Sequence, residues 1–190
     1  MLRWRRASRS SETSAGVSRR AISAAQIEEF IYRLEGDRQA RARVLRQGLQ
    51  AYLEVADELN ALLAALLAQA LADLGQDEEA WGLAEAAEEA SQGYLHVIPY
   101  VYCAQAIVLI HRGQFDEAEQ HARDAITTLR RTEFNAQTAD ALMTLGEVLR
   151  GAGRVSEAAA AISQALVIYE EKGIVPLIRL ARSELDRLRV

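Results

Sequence analysis

The chain has 190 residues, of which 50% are hydrophobic and 26% charged, and its formal net charge at pH 7 is −5. This length suits one domain or one run of stacked repeats, and the two prolines and 6% aromatic residues favour an all-helical protein. A single cysteine excludes a disulfide framework and favours a reducing compartment, so we expect a cytoplasmic protein.

The charges are unevenly distributed along the chain. Residues 1–20 contain six Arg and one Glu and show no hydrophobic periodicity, which predicts a disordered basic N-terminal tail. The rest of the chain therefore carries a net charge of −10. Because nucleic-acid binding needs a clustered basic surface, we expect no nucleic acid among the partners. The most apolar stretch, Val97–Ile110, is shorter than the roughly 20 residues that span a membrane, so we expect no membrane association either.

The first predicted helix pair, within residues 21–59, is the least regular. Ser23 and Gln26 have the spacing of a capping box, which predicts that the first helix begins after Ser23 and ends at Gly36. The second helix is predicted over about 38–58. The apolar stripe of the first helix, which we expect to face the core, consists of Ile27, Phe30, Ile31 and Leu34.

Three more regular helix pairs are predicted at about 60–93, 94–133 and 134–173, and one spacing of small residues recurs in all three. A glycine divides each pair, and small residues lie seven positions before it, five after it and twelve after it. Such residues at fixed positions predict close contact between the two helices of a pair. For Gly75, Gly113 and Gly153 they are Ala68, Ala80 and Ala87, then Ala106, Ala118 and Ala125, then Gly146, Ala158 and Ala165.

The same positions around Gly36 do not hold small residues. Seven before and five after it stand Glu29 and Arg41, and a fit is recovered only by a shift to Ala42 and Leu49. We therefore expect a weak, degenerate repeat over residues 21–59, ahead of three firm ones.

The last stretch, residues 174–190, is predicted to be a capping helix. Pro176 suits the first turn of a helix, where a missing N–H group costs nothing. An open stack of helices exposes its final apolar face, so a covering helix is expected there. The side chains expected to provide that cover are Leu177, Leu180, Leu185 and Leu188.

This arrangement of small and large residues resembles the tetratricopeptide repeat. The residues that match the first helix of that family are Leu67-Ala68, Tyr102 with Ala106, and Leu145-Gly146, and those that match the alanine of its second helix are Ala80, Ala118 and Ala158. The resemblance covers about residues 55–188. It implies an all-α solenoid of helical hairpins, wound as a right-handed superhelix and closed by a C-terminal capping helix. More narrowly, Ala139–Gly173 is similar to the C-terminal repeats of bacterial signalling ATPases, including those with nucleotidyl cyclase domains and LuxR/MalT-type transcription regulators.

The sequence contains no motif that predicts catalysis. Phosphate-binding, dinucleotide-binding, zinc-protease and nucleophile-elbow patterns are all absent. His96 and Cys103 lie seven residues apart on one helix face and would need His111 as a third metal ligand, so a structural or partner-facing role is favoured. We therefore expect no enzyme activity, no cofactor and no metal.

The family resemblance implies that the first helix of each pair lines a concave groove. Counted from the three glycines, the middle pair presents an apolar set between acidic neighbours, and an exposed apolar patch with a polar rim is typical of a binding site. The alternative is that neighbouring helices or a second copy of the chain cover this patch. The residues expected to bind a partner are Leu62, Gln69, Asp73, Tyr100, Cys103, Ile107, Ile110, His111, Asp140, Met143, Glu147 and Arg150.

These observations predict a protein-interaction scaffold or adaptor that holds a peptide or helix with some basic character in its groove. Replacing Ile107 with Glu should then abolish binding without unfolding the chain. A homodimer is compatible with the same features. The alternative function is that of a detached sensor or regulatory region, which would act with a separate signalling ATPase, nucleotidyl cyclase or transcription regulator.

Overall fold

A computed structural model describes residues 20, 22–54, 56, 59–132 and 134–188. Apart from Arg20, the predicted basic tail lies outside these residues. All regular structure within the described ranges is helical, with no β-strand, and none of these helices is long and apolar enough to cross a membrane. The helices are α1 (residues 22–35), α2 (Arg38–Leu53), α3 (Ala61–Ala72), α4 (Asp77–Ser91), α5 (Ile98–His111), α6 (Phe115–Leu129), α7 (Asn135–Gly151), α8 (Val155–Lys172) and α9 (Val175–Arg187).

One turn geometry joins the helices of every pair. At Gly113 the glycine N–H donates to the carbonyl of Ile110 (3.0 Å), and the next N–H, of Gln114, donates to the carbonyl of Leu109 (2.9 Å). Bonds between the same relative positions occur at Gly36, Gly75, Gly153 and Gly173. All five glycines have positive φ, between 68° and 76°, which is strained for a residue with a side chain. Positions counted from these glycines are therefore structurally equivalent between pairs.

The hairpins stack in chain order. The helices within the pairs α3–α4, α5–α6 and α7–α8 pack on each other, and α5 and α7 each pack on both helices of the pair before them. Two apolar clusters result, one drawn from α1 to α5 and the other from α5 to α9, so that α5 has one side in each. The predicted all-α fold of helical-hairpin repeats is confirmed.

The nine predicted small residues are all buried where two helices of a pair touch. Gly146 is the tightest position, because a Cβ atom there would lie 2.5 Å from Cγ1 of Ile162 in α8. Any larger side chain at this point would push the two helices of the pair apart.

The first hairpin keeps the register of the others, so the predicted shift to Ala42 and Leu49 is wrong. Glu29 and Arg41 occupy the positions of the small pair, and Arg41 Nε lies 2.9 Å from Glu29 Oε1, with both side chains buried. A buried ion pair thus replaces the small-residue contact of the later hairpins. Gly48, twelve residues after Gly36, supplies the remaining small residue.

Two further local predictions are wrong. Ser23 lies inside α1 rather than capping it, because the helix is already formed at residue 22. The apolar stripe of α1 points largely to solvent, with Ile27 62%, Phe30 43% and Ile31 46% exposed, because no described helix packs on that side. Ala25 and Glu29 face inward instead.

The C-terminal helix α9 packs on α8 as a capping helix would. Leu177 and Ala181 are its buried residues, while Leu185 and Leu188 pack partly buried against the second cluster. Leu180 does not cover the last pair as predicted, because it lies 48% exposed at the concave side of the stack.

Candidate functional site

The concave side of the stack contains a cavity of about 500 Å³. Its floor is formed by α3, α5, α7 and α8, the first hairpin borders one end, and α9 borders the other. Seven of the twelve residues predicted to bind a partner line it, namely Gln69, Asp73, Ile107, Asp140, Met143, Glu147 and Arg150. The stack therefore gathers side chains from three successive first helices around one cavity.

The other five predicted residues do not line the cavity; they are Leu62, Tyr100, Cys103, Ile110 and His111. The apolar patch expected on α5 is not exposed, since Ile107 is 6% and Cys103 4% accessible. The chain's own helices cover it, which was the alternative to a free patch. His111 is exposed at the end of α5, with Nδ1 2.8 Å from Oδ1 of Asp77.

Asp140 connects the two ends of the stack. It accepts a hydrogen bond from Arg33 Nη1 of α1 on Oδ2 (2.5 Å), and one from the Tyr169 hydroxyl of α8 on Oδ1 (2.6 Å). Burial and the adjacent Asp140 charge raise the pKa of Tyr169, so its hydroxyl stays protonated and donates. The Nε atom of Arg33 is buried without a hydrogen-bond partner. Arg33 and Tyr169 line the cavity but were not predicted from the sequence.

Arg41 organises a second network at the same end of the cavity. Besides Glu29, it donates to Asp73 Oδ2 (2.8 Å) and Gln69 Oε1 (3.0 Å), so α2 is fixed to the C-terminal end of α3. Burial raises the pKa of Asp73, and the nearby charges of Arg41 and Arg38 oppose that rise. Arg41 itself is buried, and its three partners satisfy its guanidinium there.

Glu147 has an electrostatically unfavourable position in the same cavity. About half of its side chain is exposed, yet desolvation within the groove and the charge of Asp73 raise its pKa. Its nearest cation is Arg150, at 3.9 Å, which is a weak pairing. The Arg38 guanidinium donates a hydrogen bond to the backbone carbonyl of Asp73 (3.2 Å). Asp73 is already paired with Arg41, so Glu147 is the lining carboxylate that lacks a close cation.

The described structure does not bring together the histidines and the cysteine that could have formed a metal site. Burial raises the pKa of Cys103 to about 12, so the thiol is neutral and unreactive near neutral pH. His96 is exposed and lies beside the Tyr94 ring rather than with Cys103 in a ligand set. Within the part of the chain that the structure describes, no three His, Cys, Asp or Glu side chains are placed to hold a metal ion.

Comparison with known proteins places this geometry among helical repeats. The family model of the tetratricopeptide repeat matches residues 98–171, which run from the start of α5 almost to the end of α8. The crystal structure of BtubC from P. vanneervenii is 16% identical, with a TM-score of 0.52 over 96% of this chain and 90% of that chain. A structure of MamA AMB-1 is 16% identical, with a TM-score of 0.45 over 93% of this chain and 85% of that chain. No curated protein sequence matches.

These comparisons bear on the fold and on the general class of function. At 16% identity, the likeness to BtubC shows a shared fold alone. Tetratricopeptide repeats generally serve as non-catalytic scaffolds that bind protein partners, and none of the comparisons indicates an enzyme family.

Proposed function

We propose that this chain is a non-enzymatic interaction module that holds a short segment of a partner protein in its concave cavity. The observation that carries the proposal is the convergence of α3, α5 and α7 on one cavity, which seven of the expected binding residues line. The tetratricopeptide-repeat match over residues 98–171 supports a binding role for this region.

The size of the cavity limits the ligand to a few residues. One turn of α-helix, about 10 Å across and 5.4 Å long, occupies roughly 420 Å³. A cavity of about 500 Å³ therefore accommodates about four residues, not a long helix lying along the groove. The contact between Arg33 and Asp140 keeps the cavity this small, because it ties α1 to α7. The ligand we propose is therefore a segment of about four residues.

The lining determines which side chains that segment should carry. Met143, which is half-buried, and Leu180, which is exposed, provide an accessible apolar surface for an apolar side chain. Glu147 has only the distant Arg150 as a partner and its pKa is raised, so a cation bound beside it would relieve the cost of its charge. The ligand we propose therefore combines an apolar residue with a neighbouring Lys or Arg.

A displayed library of six-residue peptides, selected on the full chain, tests this proposal. Selected sequences should be enriched in an apolar residue beside a basic one. Glu147→Lys should weaken their binding at least about tenfold, because an attraction of about 1 kcal/mol or more becomes a repulsion. Glu171→Lys makes the same charge change on an exposed residue of α8 outside the cavity and should leave binding unchanged. Selection of acidic peptides, or equal weakening by both variants, would contradict the proposal.

The substitution Ile107→Glu is unsuitable for this test. The side chain belongs to the first apolar cluster and is almost fully buried, so a carboxylate there would be desolvated and would destabilise the fold itself. Loss of binding would then report unfolding. Glu147, at the open side of the cavity, separates the two effects.

The alternative function, a detached regulatory region of a signalling ATPase, nucleotidyl cyclase or transcription regulator, is supported only by the resemblance of Ala139–Gly173. The coding sequence upstream tests it directly. An in-frame ATPase or cyclase domain would support this alternative. If no such domain is encoded there, the peptide-binding module is the function that we retain.

A further inference from the structure

The N-terminal end of the stack presents an apolar face that lies apart from the concave cavity. Ile27, Phe30 and Ile31 follow one another at the three- and four-residue spacing of a single helix face, and all three are largely exposed. None of them lines the cavity. Scattered exposed apolar residues need no explanation, but three on consecutive turns of one face do.

The repeat register shows which surface this is. In the three later hairpins, the residues nine and five positions before the turn glycine are all at most 7% exposed. They are Leu66 and Ala70, Ala104 and Val108, and Thr144 and Val148. In α1 the same two positions are Ile27 and Ile31. The equivalence is structural, because the turn at Gly36 has the same hydrogen bonds as the others.

The cause of burial at these positions is the preceding hairpin. In α5, Ala104 and Val108 belong to the apolar cluster shared with α3 and α4, whereas Cys103 and Ala106 belong to the cluster shared with the following hairpins. The side that carries these two positions therefore faces the hairpin before it. For α1, no residue ahead of it is described except Arg20, and isoleucines occupy both positions.

We propose that Ile27, Phe30 and Ile31 form a stacking face that receives a helical hairpin of another protein as one further repeat. The continuity of the stack determines the kind of partner, because three successive interfaces in this chain bury the same two positions against a hairpin. The partner face should be apolar, like the face of α3 and α4 on which Ala104 and Val108 of α5 pack.

The other end of this chain does not offer that partner face. The capping helix α9 covers the last pair and leaves Arg179 and Arg182 exposed, so a second copy stacked head to tail would bring charged groups onto the isoleucines. Glu28 and Glu35 lie exposed along one flank of the stacking face, which favours a partner with basic residues at its rim.

Insertion of a known hairpin into the full chain tests the face. A copy of residues 94–133 placed between Arg20 and Ala21 leaves five residues between its last helix and α1, as between α6 and α7. Hydrogen exchange in residues 22–35 should slow about tenfold or more, because α1 becomes an interior helix. The pair Ile27→Asp and Ile31→Asp should remove this slowing, whereas Val167→Asp, at an exposed site of α8, should preserve it. Unchanged exchange after insertion would overturn the proposal.

A second measurement identifies the source of the hairpin. A photoreactive phenylalanine at position 30 of the otherwise unmodified chain should crosslink, in the cells that make it, to the apolar face of a helical hairpin in another protein. Crosslinking to residues 1–19 of the same chain or to a second copy of this chain, or no crosslinked product, would overturn the assignment. The same Asp pair in the chain without the insertion should leave the melting temperature nearly unchanged, since both side chains are already exposed.

Discussion

Gly146 provides a quantitative test of how the hairpins pack. Replacing an interior helical glycine with alanine ordinarily stabilises a helix by about 1 kcal/mol. Here the added Cβ would lie 2.5 Å from Ile162 Cγ1 and 3.0 Å from its Cδ1, so α8 has to move. Overpacking of this kind costs about 1–3 kcal/mol. We expect Gly146→Ala to lower the free energy of unfolding by about 1 kcal/mol, or roughly 2–4 °C in melting temperature.

Gly82 is the matched control for this substitution. It also lies inside a helix, α4, but it is exposed and a Cβ there would meet no atom within 4 Å. Gly82→Ala should therefore raise stability by up to about 1 kcal/mol. Urea and thermal unfolding followed by circular dichroism measure both variants. The two substitutions are chemically identical and are expected to have opposite signs.

The contact with Ile162 can be checked separately. In an Ile162→Ala background the clashing atoms are gone, so Gly146→Ala should stabilise the chain by its helix-propensity gain alone. If Gly146→Ala proves as stable as the parent chain while Gly82→Ala behaves as expected, the close packing of α7 on α8 is wrong.

Three further predictions follow from buried and desolvated groups. Arg41→Ala should cost about 3–5 kcal/mol because it leaves both Glu29 and Asp73 without their partner. Chemical denaturation should show the double variant Glu29→Ala/Arg41→Ala to be less destabilised, since one of the two unpaired carboxylates is then gone. Equal or greater loss in the double variant would contradict the role of the Glu29–Arg41 pair. With a pKa of about 12, about one Cys103 thiol in ten thousand should be ionised at pH 8. Cys103 should therefore not react with the thiol reagent DTNB until the chain unfolds. Rapid reaction of the folded chain would refute the burial of Cys103. Glu147→Gln should raise stability at pH 7 by up to about 0.5 kcal/mol after allowance for screening. Because the pKa of Glu147 is higher in the folded chain than in the unfolded chain, ionisation of Glu147 opposes folding. The stability gained by Glu147→Gln should therefore vanish as the pH falls below the pKa of the unfolded chain. A stability gain that increases toward low pH would contradict this reasoning.

Local patterns predicted most of the fold. The turn at Gly113 and the small residues Ala106 and Ala118 depend on contacts between helices that adjoin in sequence, and such contacts leave a spacing that can be read directly. The first hairpin was misaligned for the same reason: Glu29 and Arg41 violate the small-residue pattern, and only the structure shows that they satisfy each other. An ion pair at a helix contact leaves no periodic signal.

The candidate site depended on features that no spacing records. Arg33 and Asp140 are 107 positions apart, and they meet because small rotations between successive hairpins add up until the ends of the stack approach each other. The way successive hairpins rotate also leaves Met143 at the surface of the cavity, whereas neighbouring helices cover Cys103. Periodicity also identified the apolar stripe of α1 at Ile27 and Ile31, but it does not tell whether a neighbouring helix exists to cover it.

The proposed use of the cavity can be tested through Met143. The chain has two methionines, Met1 and Met143, and Met143 lines the cavity, so its methyl group in a methyl-labelled methionine spectrum reports on the site. Titration with a selected apolar-basic peptide should shift the Met143 methyl signal, and in Glu147→Lys the same shift should need at least about tenfold more peptide. An unmoved Met143 signal at saturating peptide would contradict binding in the concave cavity.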